Sequence, residues 1–292
     1  MSFDFLAKPF GVLMEFIYNT LAFENYGVAI IIFTIIIKIL LMPLQIKQQR
    51  SMLKTQEIQP ELQELQRTYA NDRNKLAEEQ QKLYAKHNIS MTAGCLPMLI
   101  QFPLIMALYQ IIRKPLTFIS GLSTDAISKI AEKLEVTAAN GMIDELTLND
   151  KLVNPETYEK VSNLISQKDI INMDFFGFLD LGKNPSWNPA VIKEDLALYL
   201  PLLLIPFLSL ASAILLQKMS MARTNQNKKK DDKKEGMNMA NGMMKVMPLL
   251  SFVIAFSVPA GLGLYWTISN VLSIGQMALI NRILAKQKEG RL

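Results

Sequence analysis

The sequence predicts an all-α membrane protein, with five transmembrane helices, a cytoplasmic helical hairpin and a long extracytoplasmic loop. Three observations carry this. Half of the 292 residues are hydrophobic, and they fall in blocks nearly free of charge. Polar segments separate the blocks, and their basic residues are sorted by segment. One block, Tyr26 to Gln45, carries a lysine, Lys38, in its interior.

Residues 1–25 place Phe5, Phe10, Leu13, Met14, Phe16, Ile17 and Leu21 at near-helical spacing, without an unbroken run long enough to span. The expectation is an interfacial amphipathic helix. A packed soluble helix is the alternative. No basic n-region and no small-residue cleavage site mark a secretory signal here.

The first span is placed at 26–46, with Pro43 near its end. Residues 47–93 hold eight Lys/Arg against six Asp/Glu, so they lie outside the apolar core. Ile58, Leu62, Leu65, Tyr69, Leu76 and Leu83 alternate at four and three residues around the turn signal Asn71-Asp72-Arg73-Asn74. Two antiparallel helices follow from that pattern, with one long exposed helix as the alternative. The second span is placed at 95–112, uncharged and containing Pro97 and Pro103.

Residues 113–195 are acidic, with thirteen Asp/Glu against nine Lys/Arg. Short surface helices are expected at 124–138 and 155–168. The cluster Phe175, Phe176, Phe178, Leu179 and Leu181 is expected on the membrane surface or against the spans, with Trp187 as an interface anchor. The third span is placed at 196–217, and residues 218–242 form a basic loop. Val246 to Ile280 is uncharged, and as one helix it would exceed 50 Å against a core of about 30 Å. Pro259-Ala260-Gly261 breaks it, giving spans at 243–258 and 262–282 and a tail at 283–292.

Five spans put 47–93, 217–245 and 282–292 on one side, with twenty Lys/Arg against ten Asp/Glu. The other side holds ten against sixteen, so the N-terminus is expected outside and the C-terminus in the cytoplasm.

The chemistry the chain can carry is narrow. One cysteine, Cys95, excludes an internal disulfide and cysteine-cluster metal sites, and one histidine, His87, excludes two-histidine motifs. No phosphate-binding loop is present, so neither cofactor nor nucleotide is expected. The run Lys228-Lys229-Lys230 is a solvated loop rather than a nucleic-acid patch. Thr34 and Lys38 lie four apart and share a helix face. No predicted span contains Asp or Glu, so Lys38 has no acidic partner there. Either it snorkels to the headgroups, or it sits in a hydrated groove suited to an anionic guest.

Several stretches then match one family in order. They are Lys38 with Pro43-Leu44, Gly94-Cys95-Leu96-Pro97 through Pro103, Gln217-Lys218-Met219-Ser220, Met247-Pro248, and Pro259-Ala260-Gly261-Leu262-Gly263-Leu264-Tyr265-Trp266 with Ser269-Asn270. The chain resembles the YidC/Oxa family of membrane insertases over about 26–112 and 175–284. The resemblance implies a five-helix core whose groove opens to cytoplasm and lipid, with a cytoplasmic hairpin that receives substrates. It places Lys38, Thr34, Gln217 and Trp266 in the groove. It places Phe102, Ile105 and Tyr265 along the path by which substrate helices leave. Where the family usually carries arginine, this chain has Lys38, which keeps the charge and loses the bidentate fork. The implied partners are nascent membrane proteins and the lipid bilayer, with the ribosome and the Sec translocon as further candidates. The implied setting is a bacterial plasma membrane, and the type is the short, Gram-positive-like form. A channel or anion carrier using Lys38, and a scaffold acting through the hairpin, are the alternative functions.

Overall fold

The computed structural model describes residues 4–89, 96–136, 143–225, 246 and 248–288. Helix α1 spans Asp4–Thr20 and α2 spans Tyr26–Leu40. The Asn25 side chain caps α2 by accepting from Val28 N at 3.1 Å. Helix α3, Met42–Glu57, leaves α2 at an angle of 58°. The single helical span expected to 46 therefore breaks at Leu41. Pro43 accounts for this, because its ring cannot follow a helical turn but fits the first turn of a new one.

Helix α4 (Gln59–Thr68) and helix α5 (Arg73–Lys86) pack side by side through Ile58, Leu62, Leu83 and Ile89. Asp72 caps α5 by accepting from Lys75 N. Helix α6, Leu96–Arg113, runs through Pro103 without ending. The Gly94-Cys95 motif lies outside the described residues.

The acidic segment holds more order than short surface helices. Helices α7 (Pro115–Phe118), α8 (Thr124–Lys133), α9 (Glu145–Val153) and α10 (Pro155–Glu159) enclose a second core. Leu116, Ile127, Ile130, Leu148, Leu152 and Val161 form it. The helix expected over 155–168 stops at Glu159, and the turns that follow carry Val161 and Ile165 into this core. Strands β1 (Asp174–Phe175) and β2 (Leu179–Asp180) make a small antiparallel hairpin in an otherwise helical chain.

Helix α11 (Pro189–Glu194) leads into α12 (Leu196–Leu202) and α13 (Leu204–Asn225). Leu196–Ser220 is long and apolar enough to cross a membrane. Helix α13 runs on past the boundary expected at 217, because no breaker follows Gln217. Residues 226–242 of the expected basic loop lie outside the described residues. Helix α14 covers 248–254, and α15 runs Ala260–Lys288, longer at both ends than the expected 262–282.

The main core joins α1, α2, α6 and α15 through residues such as Met14, Ile17, Tyr26, Phe33, Leu108, Ile111 and Tyr265. Helix α15 packs closely on α13, where a Cβ on Gly263 would run into Ile205. Ser212 and Asn270, each seven residues further along, are hydrogen-bonded, so the two helices run parallel in register.

Candidate functional site

The polar residues of α2, α13 and α15 turn toward one another. Lys38 is half-buried near the C-terminal end of α2, and its Nζ donates to Ser273 Oγ at 2.7 Å. Ser273 Oγ in turn donates to Ser269 O at 2.7 Å, so its one O–H donor is used and its oxygen meets Lys38 as an acceptor. Gln276 Nε2 donates to the Lys38 carbonyl at 2.8 Å. Gln276 Oε1 is buried without a hydrogen-bond partner among the described residues. On the α13 side, Asn270 Nδ2 donates to Ser212 Oγ at 3.1 Å, and Ser212 Oγ donates to Ser209 O. A polar seam therefore follows α15 through Ser269, Asn270, Ser273 and Gln276, at the three- and four-residue spacing of one helix face.

No carboxylate lies within ion-pair distance of Lys38 among the described residues. Its ammonium has three donors and meets one neutral acceptor in Ser273. In the sequence, Ser273 and Gln276 stand only as polar residues of an uncharged run. Their spacing was the available signal, but their pairing with Lys38 depends on a register set more than 230 residues away.

The other expected groove residues lie on the same three helices, Thr34 one turn before Lys38 on α2, Gln217 on α13 and Trp266 on α15. Thr34 is buried, and its hydroxyl donates to Ile30 O at 2.6 Å within its own helix. Gln217 is half-buried in the C-terminal half of α13. Trp266 packs against the main core. The three residues expected along an exit path differ in exposure. Phe102 is exposed on α6 and Ile105 is half-buried, whereas Tyr265 is only 1% exposed. Tyr265 Oη accepts from Gln101 Nε2 at 2.8 Å, which ties α15 to α6.

The N-terminal ends of α2 and α15 are stitched by residues 171–183. Asn172 O accepts from Tyr26 N at 3.2 Å, and Asn172 N donates to Tyr18 Oη at 3.0 Å. Phe175 lies against Gly27, where any Cβ would strike its ring. Leu181 O and Lys183 O accept from Gly261 N and Ala260 N, each at 2.9 Å. These bonds satisfy amides at the start of α15 that have no partner within the helix.

A cavity of about 730 Å³ lies beside this stitched end, away from Lys38. Asp144, Asp150, Asp174, Asp180 and Asp195 line it. Most of these carboxylates hold the chain in place. Asp144 caps α9, Asp195 caps α12, Asp150 pairs with Lys183 at 2.7 Å, and Asp180 accepts from Gly182 N. Burial pushes the Asp180 carboxyl up from its ordinary value. The cavity is a product of loop architecture, and the Lys38 seam is the stronger candidate site.

Helix α13 buries Ser209 and Ser212 and exposes Phe207, Leu208 and Leu215. A helix sorted in that direction belongs to a helical membrane protein, with lipid as the outer solvent. The chain belongs to the 60Kd inner membrane protein family, whose sequence model matches residues 16–288. It is similar to the membrane protein insertase YidC of Enterococcus faecalis, at 32% identity over 91% of this chain and 70% of that protein. The YidC of Pasteurella multocida is 29% identical over 97% of this chain. That of Clostridium tetani is 44% identical over 40% of this chain and 54% of that protein. The chain spans about 38% of the length of the Pasteurella protein.

Proposed function

We propose that this chain is a membrane protein insertase, acting without nucleotide hydrolysis, in which Lys38 draws acidic or hairpin segments of nascent membrane proteins into a cytoplasm-open groove. The observation that carries this is the Lys38–Ser273 pairing at 2.7 Å inside an apolar helix bundle. A lysine held by a neutral hydroxyl keeps its charge available. A passing carboxylate in place of the serine keeps the charge-assisted bond and adds the attraction between two opposite unit charges. At an effective dielectric near 20, the attraction at 4 Å is about 4 kcal/mol, which recruits a guest without trapping it. The unpartnered Gln276 Oε1 on the same stretch of α15 adds a buried acceptor, as expected where water or a guest polar group enters.

Five spans carry the groove in this reading, at α2, α6, α12–α13, α14 and α15, with the N-terminus outside. The stitched segment 171–183 closes the outer end, and the α4–α5 hairpin offers the cytoplasmic receiving surface. The guest leaves sideways between α6 and α15, past Phe102 and Ile105, once the Gln101–Tyr265 bond opens. Its own burial in lipid drives that step.

The test is insertion of a single-span substrate with an acidic translocated tail into vesicles containing only this protein. Lys38→Ala is expected to slow insertion about tenfold, from the loss of one bond between charged groups, and Lys38→Arg to retain it. Equal rates for Lys38→Ala and wild type would remove the charge from the mechanism. A photocrosslinker at Phe102 is expected to capture the stalled substrate. Absence of any insertion in these vesicles would favour a scaffold acting through the hairpin.

A further inference from the structure

The acidic outer segment exposes aromatic rings at two places, and each is anchored to the outer end of a helix in the bundle. At the β1–β2 tip, Phe176 and Phe178 are exposed and stack with centroids 6.4 Å apart. Phe176 holds a backbone φ of 60°, a left-handed conformation disfavoured for a bulky side chain, and its 74%-exposed ring lies 4.1 Å from that of buried Phe175. The hairpin cannot tilt freely, because Phe175 is seated on Gly27, the second residue of α2.

Trp187 is the second place. It is 78% exposed, yet it ends a ladder of rings that begins on the lipid-facing side of α13. Phe207 meets Phe252 at 5.3 Å, Phe252 meets Phe256 at 5.2 Å, and Phe256 meets Trp187 at 6.0 Å. The exposed apolar surface of α12 and α13, which includes Leu196, Leu200, Leu204 and Leu208, therefore continues into Trp187. An indole combines an apolar ring with one N–H donor, and such side chains concentrate at headgroup level.

From these two anchor points we infer that Phe176, Phe178 and Trp187 form a lipid-binding surface, seated at the boundary between phospholipid headgroups and acyl chains, that lays the outer segment flat on the bilayer. Lipid is the fitting occupant because Trp187 is continuous with the face that lipid already covers and Phe175 sits on the first turn of α2. The choice of leaflet rests on the topology proposed above, whereas the depth does not, and the experiment reads depth alone.

The test uses the full chain in phosphatidylcholine–phosphatidylglycerol vesicles. Trp266→Phe leaves Trp187 as the sole tryptophan, and Phe176→Trp in a Trp187→Phe, Trp266→Phe background reports on the hairpin tip. Lipids brominated at shallow acyl positions are expected to quench both reporters at least about twofold more than lipids brominated deep in the chains. Aqueous acrylamide is expected to quench them weakly. Full acrylamide access without quenching by brominated lipid overturns the inference and assigns the rings to a protein partner. Protection that vanishes on dilution of protein in lipid overturns it in favour of a second copy of the chain. Should the substituted chains fail to fold, 5-fluorotryptophan in the unsubstituted protein gives a separate resonance for Trp187. Broadening of that resonance by a headgroup spin label supports the inference, and no broadening overturns it.

Discussion

Helix α8 and helix α13 sort their residues in opposite directions. Helix α8 buries Ile127, Ile130 and Ala131, and it exposes Asp125 and Lys129, which pair at 2.7 Å. Helix α13 buries Ser209 to 1% exposure and leaves Phe207 56% exposed. One chain thus contains a unit built for water and a bundle built for lipid. In the acidic unit the hydrophobic effect drives packing, and most polar groups are caps or surface. In the bundle no such drive exists between helices, so small residues and interhelical hydrogen bonds hold the contacts. The Gly263–Ile205 approach and the Asn270–Ser212 bond are both of that kind. Concentrating polar side chains inside has a further effect, since it leaves Lys38 beside serine and glutamine rather than beside lipid.

The contrast can be broken most strongly with leucine. Leu152→Ala in the outer core is expected to destabilise that unit by about 2–5 kcal/mol, read as loss of hydrogen-exchange protection over 145–165. Leu208→Ala on the lipid face removes the same atoms, yet it should cost well under about 1 kcal/mol in detergent, where apolar tails replace the lost contact. Similar losses at both sites would mean that α13 is a water-facing helix. Gly263→Val is expected next, at about 1–3 kcal/mol, because the new side chain must push Ile205 aside. Thermal unfolding in detergent measures it, and an unchanged midpoint would show that the α13–α15 contact is loose.

The helical class was legible because charge is so unevenly distributed along the chain. Apolar runs nearly free of charge fall on α2, α6, α12–α13 and α15, and the turn signal at 71–74 falls beside the reversal between α4 and α5. Element ends were less legible. Lys218 suggested a boundary, but a single lysine does not stop a helix, and α13 continues. Helix α9 was missed because Glu145, Asn149 and Asp150 make its sequence look like loop. Its apolar face, Leu148 and Leu152, is short and joins a core built with α7, α10 and the turns that follow. At the candidate site, Lys38 stood out by itself, since a cation in an apolar run has a known cost. Ser273 and Gln276 did not, because which neutral groups meet a lysine depends on the packing of two helices far apart in sequence.

The smallest expected effect is a pH dependence confined to the water-built unit. Glu145 is buried, and its carboxylate accepts from Thr117 N at 2.9 Å and from Thr117 Oγ1 at 2.6 Å. Those bonds favour the charged form, but burial outweighs them and raises the carboxyl above its ordinary value near 4.5. The folded unit therefore holds a proton that the unfolded chain has released across the window from the ordinary value up to the raised one. Stability contributed by this group is complete below that window and falls as pH rises through it. Hydrogen exchange over 145–165, corrected for intrinsic rates, should show protection declining from mildly acidic toward neutral pH. Glu145→Gln should flatten that decline while leaving the bond from Thr117 N to the side-chain oxygen in place. Protection that instead rises with pH would mean that the two Thr117 bonds outweigh burial, and that the outer unit treats its buried carboxylate as a charged cap.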